Sequence, residues 1–281
     1  MLKNSFQHLP GVGGILEKRL WDKGITDWEA LLNPRSSHEG GRRIEALRGH
    51  IVESFQHIGD PRYFADRMPP ALHWRFFPEF RERTAYVDIE TTGTGGVGWG
   101  DEITTIALYD GHTVKSYVQG ENLDRFPEDM EAYDLLVTYN GKTFDGPFIE
   151  SYFRTTLTQA HIDLRYVLKS LGYGGGLKCC EKALGIDRGE LEGVDGYLAV
   201  LLWNEYRNTG NKKALESLLA YNMADAVNLE RLMVLAYNMK IAETPFDKTH
   251  AIEIPVEPEI PFFAHGEILR KVMGERQTFN L

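Results

Sequence analysis

The sequence predicts an α/β fold: a mixed sheet flanked by helices, with a small helical region before it. Three observations carry that reading. Four runs rich in β-branched and aromatic residues, "AYVDIE", "EITTIALYD", "TVKSYVQ" and "DLLVTYN", fall close together after residue 84. The first three meet at turns, and the fourth follows a helical stretch, so the sheet is expected to be mixed. Helical periodicity then dominates almost to the end of the chain.

The N-terminal zone, residues 1–80, opens with "FQHLPGVGGILEKRLWDKGITDWEALL". Ile15, Leu16, Leu20 and Trp21 recur at helical spacing. Short helices are expected at "DWEALL" and "RRIEALRGHIVESF", and Pro69 and Pro70 then punctuate the chain. The central zone, 81–244, holds the strands. Asp110 and Gly111 in "YDGHT" are a hairpin signal between the second and third runs. Helices are expected at "GPFIESYFRTT", "LRYVLKSL", "LKCCEKALG" and "ALESLLAYNMADAVNLERLMVLAYNMK". The third zone, 245–281, is Pro-rich and then briefly helical, and reads as a tail packed on the central domain.

The totals set limits. A chain of 281 residues, 42% hydrophobic and 26% charged, has an ordinary globular composition. Its longest apolar runs, such as "YLAVLLW", are far too short to span a bilayer, and "MLKNSFQHLPGVGG" lacks the apolar core of a secretory signal. The two cysteines, Cys179 and Cys180, are adjacent, which suits a reducing, cytoplasmic setting. A net charge of −10 argues against a broad nucleic-acid-coating surface but leaves room for a narrow groove with its own basic lining. No oligomeric state is legible.

Asp88 and Glu90 interrupt the first strand. Two residues apart, they share one face, roughly 7 Å apart along the backbone. Like charges on a buried strand face repel and resist desolvation. Asp145, five positions after Asn140, sits in the equally apolar "LLVTYNGKTFDGPFIESYF". Tyr221 and Asp225 lie four apart on one face of the last long helix. Each feature has an ordinary reading: solvated acids on an exposed strand, a helix cap at Asp145, a core tyrosine, a solvated helix aspartate. Four carboxylates converging in a core require cations, and hard oxygen donors suit Mg²⁺ or Mn²⁺.

"DIE", "YNGKTFDGPF" and "YNMAD" resemble the three motifs of the DEDD superfamily of exonucleases. The second, Asn-x-x-x-Phe-Asp, is most similar to that of the proofreading domain of family B DNA polymerases. With "HLPGVG" ahead of them, the whole resembles the YprB-like group of RNase H-like exonucleases. The superfamily carries either a His five residues or a Tyr four residues before the last Asp. Position 220 is Ala and position 221 is Tyr, so the chain resembles the tyrosine (DEDDy) branch. No polymerase-sized region follows, so a proofreading module within a polymerase chain is not expected.

The resemblance implies an RNase H-like sheet and a 3′-to-5′ exonuclease that uses two divalent ions, Mg²⁺ or Mn²⁺. Asp88 would bridge both ions, Glu90 and Asp225 would complete the tighter site, and Asp145 would hold the second. Tyr221 would orient the attacking water, since a phenol with a pKa of about 10 is a poor base. Asn140 and Phe144 would touch the terminal nucleotide, with Thr91 among the nucleic-acid contacts. "LPGVGGILEKRLWDKGI" resembles a helix-hairpin-helix element, in which Gly11, Val12 and Gly13 would offer backbone N–H groups to a phosphate. The partner is nucleic acid, DNA favoured over RNA. An exoribonuclease and a non-catalytic nucleic-acid-binding module remain as alternatives.

His161 and Asp163 in "AHIDLRYVL" are expected at a strand-to-helix junction, with Asp163 capping the helix, and "GYGGGLK" is expected to form a flexible loop beside the site.

Overall fold

The computed structural model describes residues 1–33, 37–93 and 100–279. Strands β1 (Thr84–Thr91), β2 (Ile103–Tyr109), β3 (Val114–Val118), β4 (Leu135–Thr138) and β5 (Ala160–Asp163) form one five-stranded sheet, ordered β3-β2-β1-β4-β5. β1–β2 and β2–β3 pair antiparallel; β1–β4 and β4–β5 pair parallel. The sheet is therefore mixed, as the run spacing predicts. The β2–β3 hairpin turns on Asp110, whose carboxylate accepts the N–H groups of His112 (2.9 Å) and Thr113 (2.7 Å). Gly111 takes the left-handed conformation there, with φ +89°.

The helices are, in chain order, α1 (Gly14–Asp22), α2 (Trp28–Leu32), α3 (Ser37–Gln56), α4 (Pro61–Ala65), α5 (Phe77–Phe80), α6 (Phe126–Met130), α7 (Asp145–Phe153), α8 (Leu164–Ser170), α9 (Leu177–Ala183), α10 (Gly196–Thr209), α11 (Lys212–Ile241), α12 (Asp247–His250) and α13 (Gly266–Phe279). β5 running into α8 is the strand-to-helix junction expected at "AHIDLRYVL". α10 is not among the expected helices, because "GYLAVLLW" is apolar on several faces and shows no clear helical stripe.

Alternation along β1 sorts the core. Ala85, Val87 and Ile89 pack with Phe126 and Met130 of α6 and with Phe148 and Ile149 of α7. Tyr86, on the opposite face, packs into a cluster with Met223, Val227 and Tyr237 of α11. That alternation turns Asp88 and Glu90 toward α11. α11 crosses β1, β2, β3 and β4, and is buried nearly all round because α10 and α13 cover its outer side.

The same apolar cluster runs into the N-terminal region, where Trp74 meets Tyr237 edge-on at 5.7 Å. A buried ion pair anchors this region. Arg75 donates to Glu17 at 2.9 Å and 3.0 Å, and Glu17 also accepts the N–H of Phe6 (2.8 Å) and the amide of Gln7 (2.6 Å). Among the described residues no helix is long and apolar enough to cross a membrane.

Candidate metal centre

β1 supplies Asp88 and Glu90 near its C-terminal end, next to the parallel strand β4. In open α/β sheets this edge is where ligands bind. α11 brings Asp225 to the same point. Ligand oxygens of Asp88, Glu90 and Asp225 all lie within 4.8 Å of one another. Asn222 of α11 docks the helix on the strand, donating to the carbonyl (3.0 Å) and the carboxylate (2.7 Å) of Asp88. The sequence reading did not single out Asn222, whose signal is its polar side chain in a helix that is otherwise core.

Asp145 stands in the first turn of α7, behind an N-cap position held by Phe144, so it is not the helix cap. Its carboxylate instead accepts the N–H of Ile89 at 3.3 Å. It therefore abuts the acid-bearing strand without joining the three clustered carboxylates. Burial pushes its carboxyl up to about 7 despite that hydrogen bond. Burial, followed by the charge of Asp225, holds the carboxyls of Asp88 and Glu90 well above the usual range.

Cations answer part of this charge. Lys178 of α9 pairs with Asp225, and Arg188 approaches the same carboxylate at 2.7 Å. Arg188 also donates to Glu181 at 2.9 Å, and Asn228 donates to Glu181 at 2.8 Å. Tyr221 is buried one turn before Asp225, with Lys178 4.6 Å and Arg188 5.4 Å from its ring centre. Burial and the Asp225 charge raise its phenol far above its ordinary value, so it stays protonated and can donate. Lys178 and Arg188 lie outside the sequence motifs; Lys178 ends "GYGGGLK", where the loop passes into α9.

Asp88, Glu90, Asp145, Lys178, Tyr221 and Asp225 line one cleft of about 830 Å³. Thr91, Asn140 and Phe144 line it too, as do Gly174, Gly175 and Gly176 of the glycine-rich loop. Asn140 holds a left-handed backbone, φ +66°, and Gly141 presses on Thr138 so closely that a Cβ would collide with its side chain. Asp163 caps α8 as expected, accepting the N–H of Arg165 at 3.0 Å. His161 bonds Thr138 at 2.8 Å. Cys180 is buried and Cys179 is exposed.

Gly11, Val12 and Gly13 are not brought to this cleft. They line a separate hollow of about 570 Å³ with His8, Tyr63 and Arg67. Gly11 has φ +73°, whereas Gly13 is extended at φ −102°, so only Gly11 requires a positive φ.

The donor set fits a hard divalent cation: clustered carboxylate oxygens and no sulfur, with acids that burial and mutual repulsion leave short of compensating charge.

The family model described as the RNase_H superfamily matches residues 85–237. The uncharacterized protein YprB of Bacillus subtilis (strain 168) is 30% identical over 189 residues, covering 59% of this chain and 45% of its own length. The chain thus spans less than half the length of that curated relative. Among solved structures, the family B DNA polymerase of the hyperthermophilic archaeon Pyrobaculum calidifontis is similar at 14% identity and a TM-score of 0.36, covering 56% of this chain and 29% of the polymerase.

Proposed function

The chain belongs to the RNase H superfamily, and from that premise we propose that it is a metal-dependent 3′-to-5′ exonuclease acting on nucleic acid, DNA in preference to RNA. The observation that carries the proposal is the meeting of Asp88 and Glu90 from β1 with Asp225 from α11, within 4.8 Å, at the floor of a cleft.

Asp88, Glu90 and Asp225 would hold one divalent ion, and Asp88 with Asp145 a second. Bound Mg²⁺ or Mn²⁺ supplies the charge that activates a water and stabilises the leaving 3′-oxygen. Tyr221, kept protonated by its surroundings, orients the attacking water from the same face of α11 as Asp225. Asn140 and Phe144 receive the terminal nucleotide, Phe144 by stacking on a base from beside Phe148, 4.8 Å away. Thr91 lines the same cleft. Gly11, Val12 and Gly13 would touch a phosphate of a longer DNA away from the cleft, through backbone N–H groups.

A gel of 5′-labelled DNA and RNA oligomers with Mg²⁺, Mn²⁺ or EDTA tests the reading. The expected result is a metal-dependent ladder, nucleoside 5′-monophosphate products and protection by a 3′-blocking group. Release of the 5′ label first, or cleavage unaffected by EDTA, overturns it.

A further inference from the structure

The cleft has a rim as well as a floor. Arg165 and Lys169 are four residues apart on α8, so they share a helical face, and both line the cleft. Both are exposed at its mouth. Their placement is fixed from below. The carboxylate of Asp163, 1% exposed, accepts the backbone N–H groups of Asn140 (2.8 Å), Lys142 (3.1 Å) and Arg165 (3.0 Å). One buried anion thus clamps the loop carrying Asn140 to the first turn of α8. Arg165 in turn donates its guanidinium to the side-chain oxygen of Asn140.

Charge divides the cleft into two parts. The floor holds Asp88, Glu90, Asp145 and Asp225, with Lys178 paired to Asp225. At the rim, Arg165 bonds a neutral amide and Lys169 projects into the opening, so their charge is available to a ligand. A strand that lays its terminal phosphodiester over the floor must carry its next phosphates past the rim. Arginine and lysine bind phosphate through charge-assisted hydrogen bonds that do not depend on base identity.

We propose that Arg165 and Lys169 form a subsite for a backbone phosphate that is held but not cleaved, on the single strand whose 3′ end enters the cleft. The proposal rests on the exonuclease reading above for the direction of the strand. Asp163 is its positioning residue, setting Arg165 against Asn140.

The test is binding of a fluorescent oligodeoxythymidylate in EDTA across a KCl series, for the full chain, Arg165→Gln, Lys169→Gln and the double variant. Each lost phosphate contact should flatten the slope of log K against log [salt] by about 0.7, and the double variant by about 1.4. Lys248→Gln, exposed and outside the cleft, should keep the wild-type slope. A second arm compares the wild type with the double variant. One neutral methylphosphonate, moved stepwise from the 3′ end, should weaken binding at one or two positions, and the double variant should lose that sensitivity. Wild-type slope in the folded double variant, or a flat methylphosphonate scan, overturns the subsite. Hydrolysis of thymidine 5′-(p-nitrophenyl phosphate) by the wild type with Mn²⁺ tests the exonuclease reading separately. Failure there, with the slopes changed as expected, removes that reading and leaves the phosphate subsite standing.

Discussion

Asn222 on α11 reaches Asp88 on β1 twice, at the backbone carbonyl (3.0 Å) and at the carboxylate (2.7 Å). The bond to the carbonyl fixes the helix against the strand, and the bond to the carboxylate aims the acid. Asn222→Ala removes both and leaves a buried carbonyl without this partner. A loss of about 1–3 kcal/mol in stability is expected, measured by urea unfolding. Turnover should fall further than stability does, because Asp88 is no longer aimed. Wild-type turnover in Asn222→Ala would show that the docking bond has no bearing on the site.

Asp88→Asn should abolish turnover and keep the fold, because it removes the carboxylate expected to serve both ions. Without metal it should also raise Tm, since a neutral amide costs less to bury than a carboxylate and repulsion with Asp225 and Glu90 is relieved. Calorimetric Mn²⁺ binding and a thermal melt of the same sample decide both halves.

The metal-free protein should lose stability as pH rises. Asp88, Glu90 and Asp145 have folded-state pKa values above their unfolded ones, so the folded state holds more protons through the intervening range. The unfolded carboxyls lose their protons near about 4. From there these three acids progressively disfavour the folded state, Asp145 through its pKa of about 7 and Asp88 and Glu90 through their own raised values. Below about pH 6.5 the lowered pKa values of buried His8, His73 and His161 act in the opposite sense, since their unfolded forms bind more protons there. Melts in EDTA from about pH 6.5 to about 8 should therefore show a falling Tm, and Mn²⁺ should reverse most of the fall by binding only the folded chain. A Tm that rises with pH across that window in EDTA contradicts this.

Tyr221→Phe keeps the ring between Lys178 and Asp225 and deletes one hydroxyl. One lost water-orienting contact should cost about 1–3 kcal/mol, about tenfold to a hundredfold in single-turnover rate. Asp225→Asn should cost more, as it removes a metal ligand and the carboxylate that pairs with Lys178. Equal rates for Tyr221→Phe and wild type would make the tyrosine a packing residue.

Arg75 and Glu17 are both nearly sealed from solvent, so removing one strands the other. Glu17→Ala should destabilise the fold by about 3–5 kcal/mol in a denaturant titration. Activity per folded molecule should be preserved, because this pair is remote from the cleft.

The N-terminal glycines should behave differently from each other. Gly11→Ala must hold a side chain at φ +73°, at a cost of about 1 kcal/mol, whereas Gly13→Ala has open space and an ordinary backbone. If the turn touches phosphate, Gly11→Ala lowers affinity for long DNA and spares very short oligomers. Equal affinity for long DNA in folded Gly11→Ala and wild type removes the turn from the interface.

The sequence by itself determined the sheet's hairpin, through Asp110 and Gly111, and the facing of Asp88 and Glu90, because a two-residue period leaves no other choice once the odd positions are core. It determined that Tyr221 and Asp225 share a face, because four residues make about one helical turn. Tertiary structure decided what local periodicity cannot carry. It brought Asp225 to Asp88 across 137 positions through one amide, Asn222, and it left Asp145 against the Ile89 backbone instead of among the three clustered acids. It also brought Lys178, Arg188 and Arg165 to the site, and kept Gly11–Gly13 apart from it. Charges far apart in sequence carry no periodic signature; their meeting follows only from how α8, α9 and α11 pack over the ends of the parallel strands.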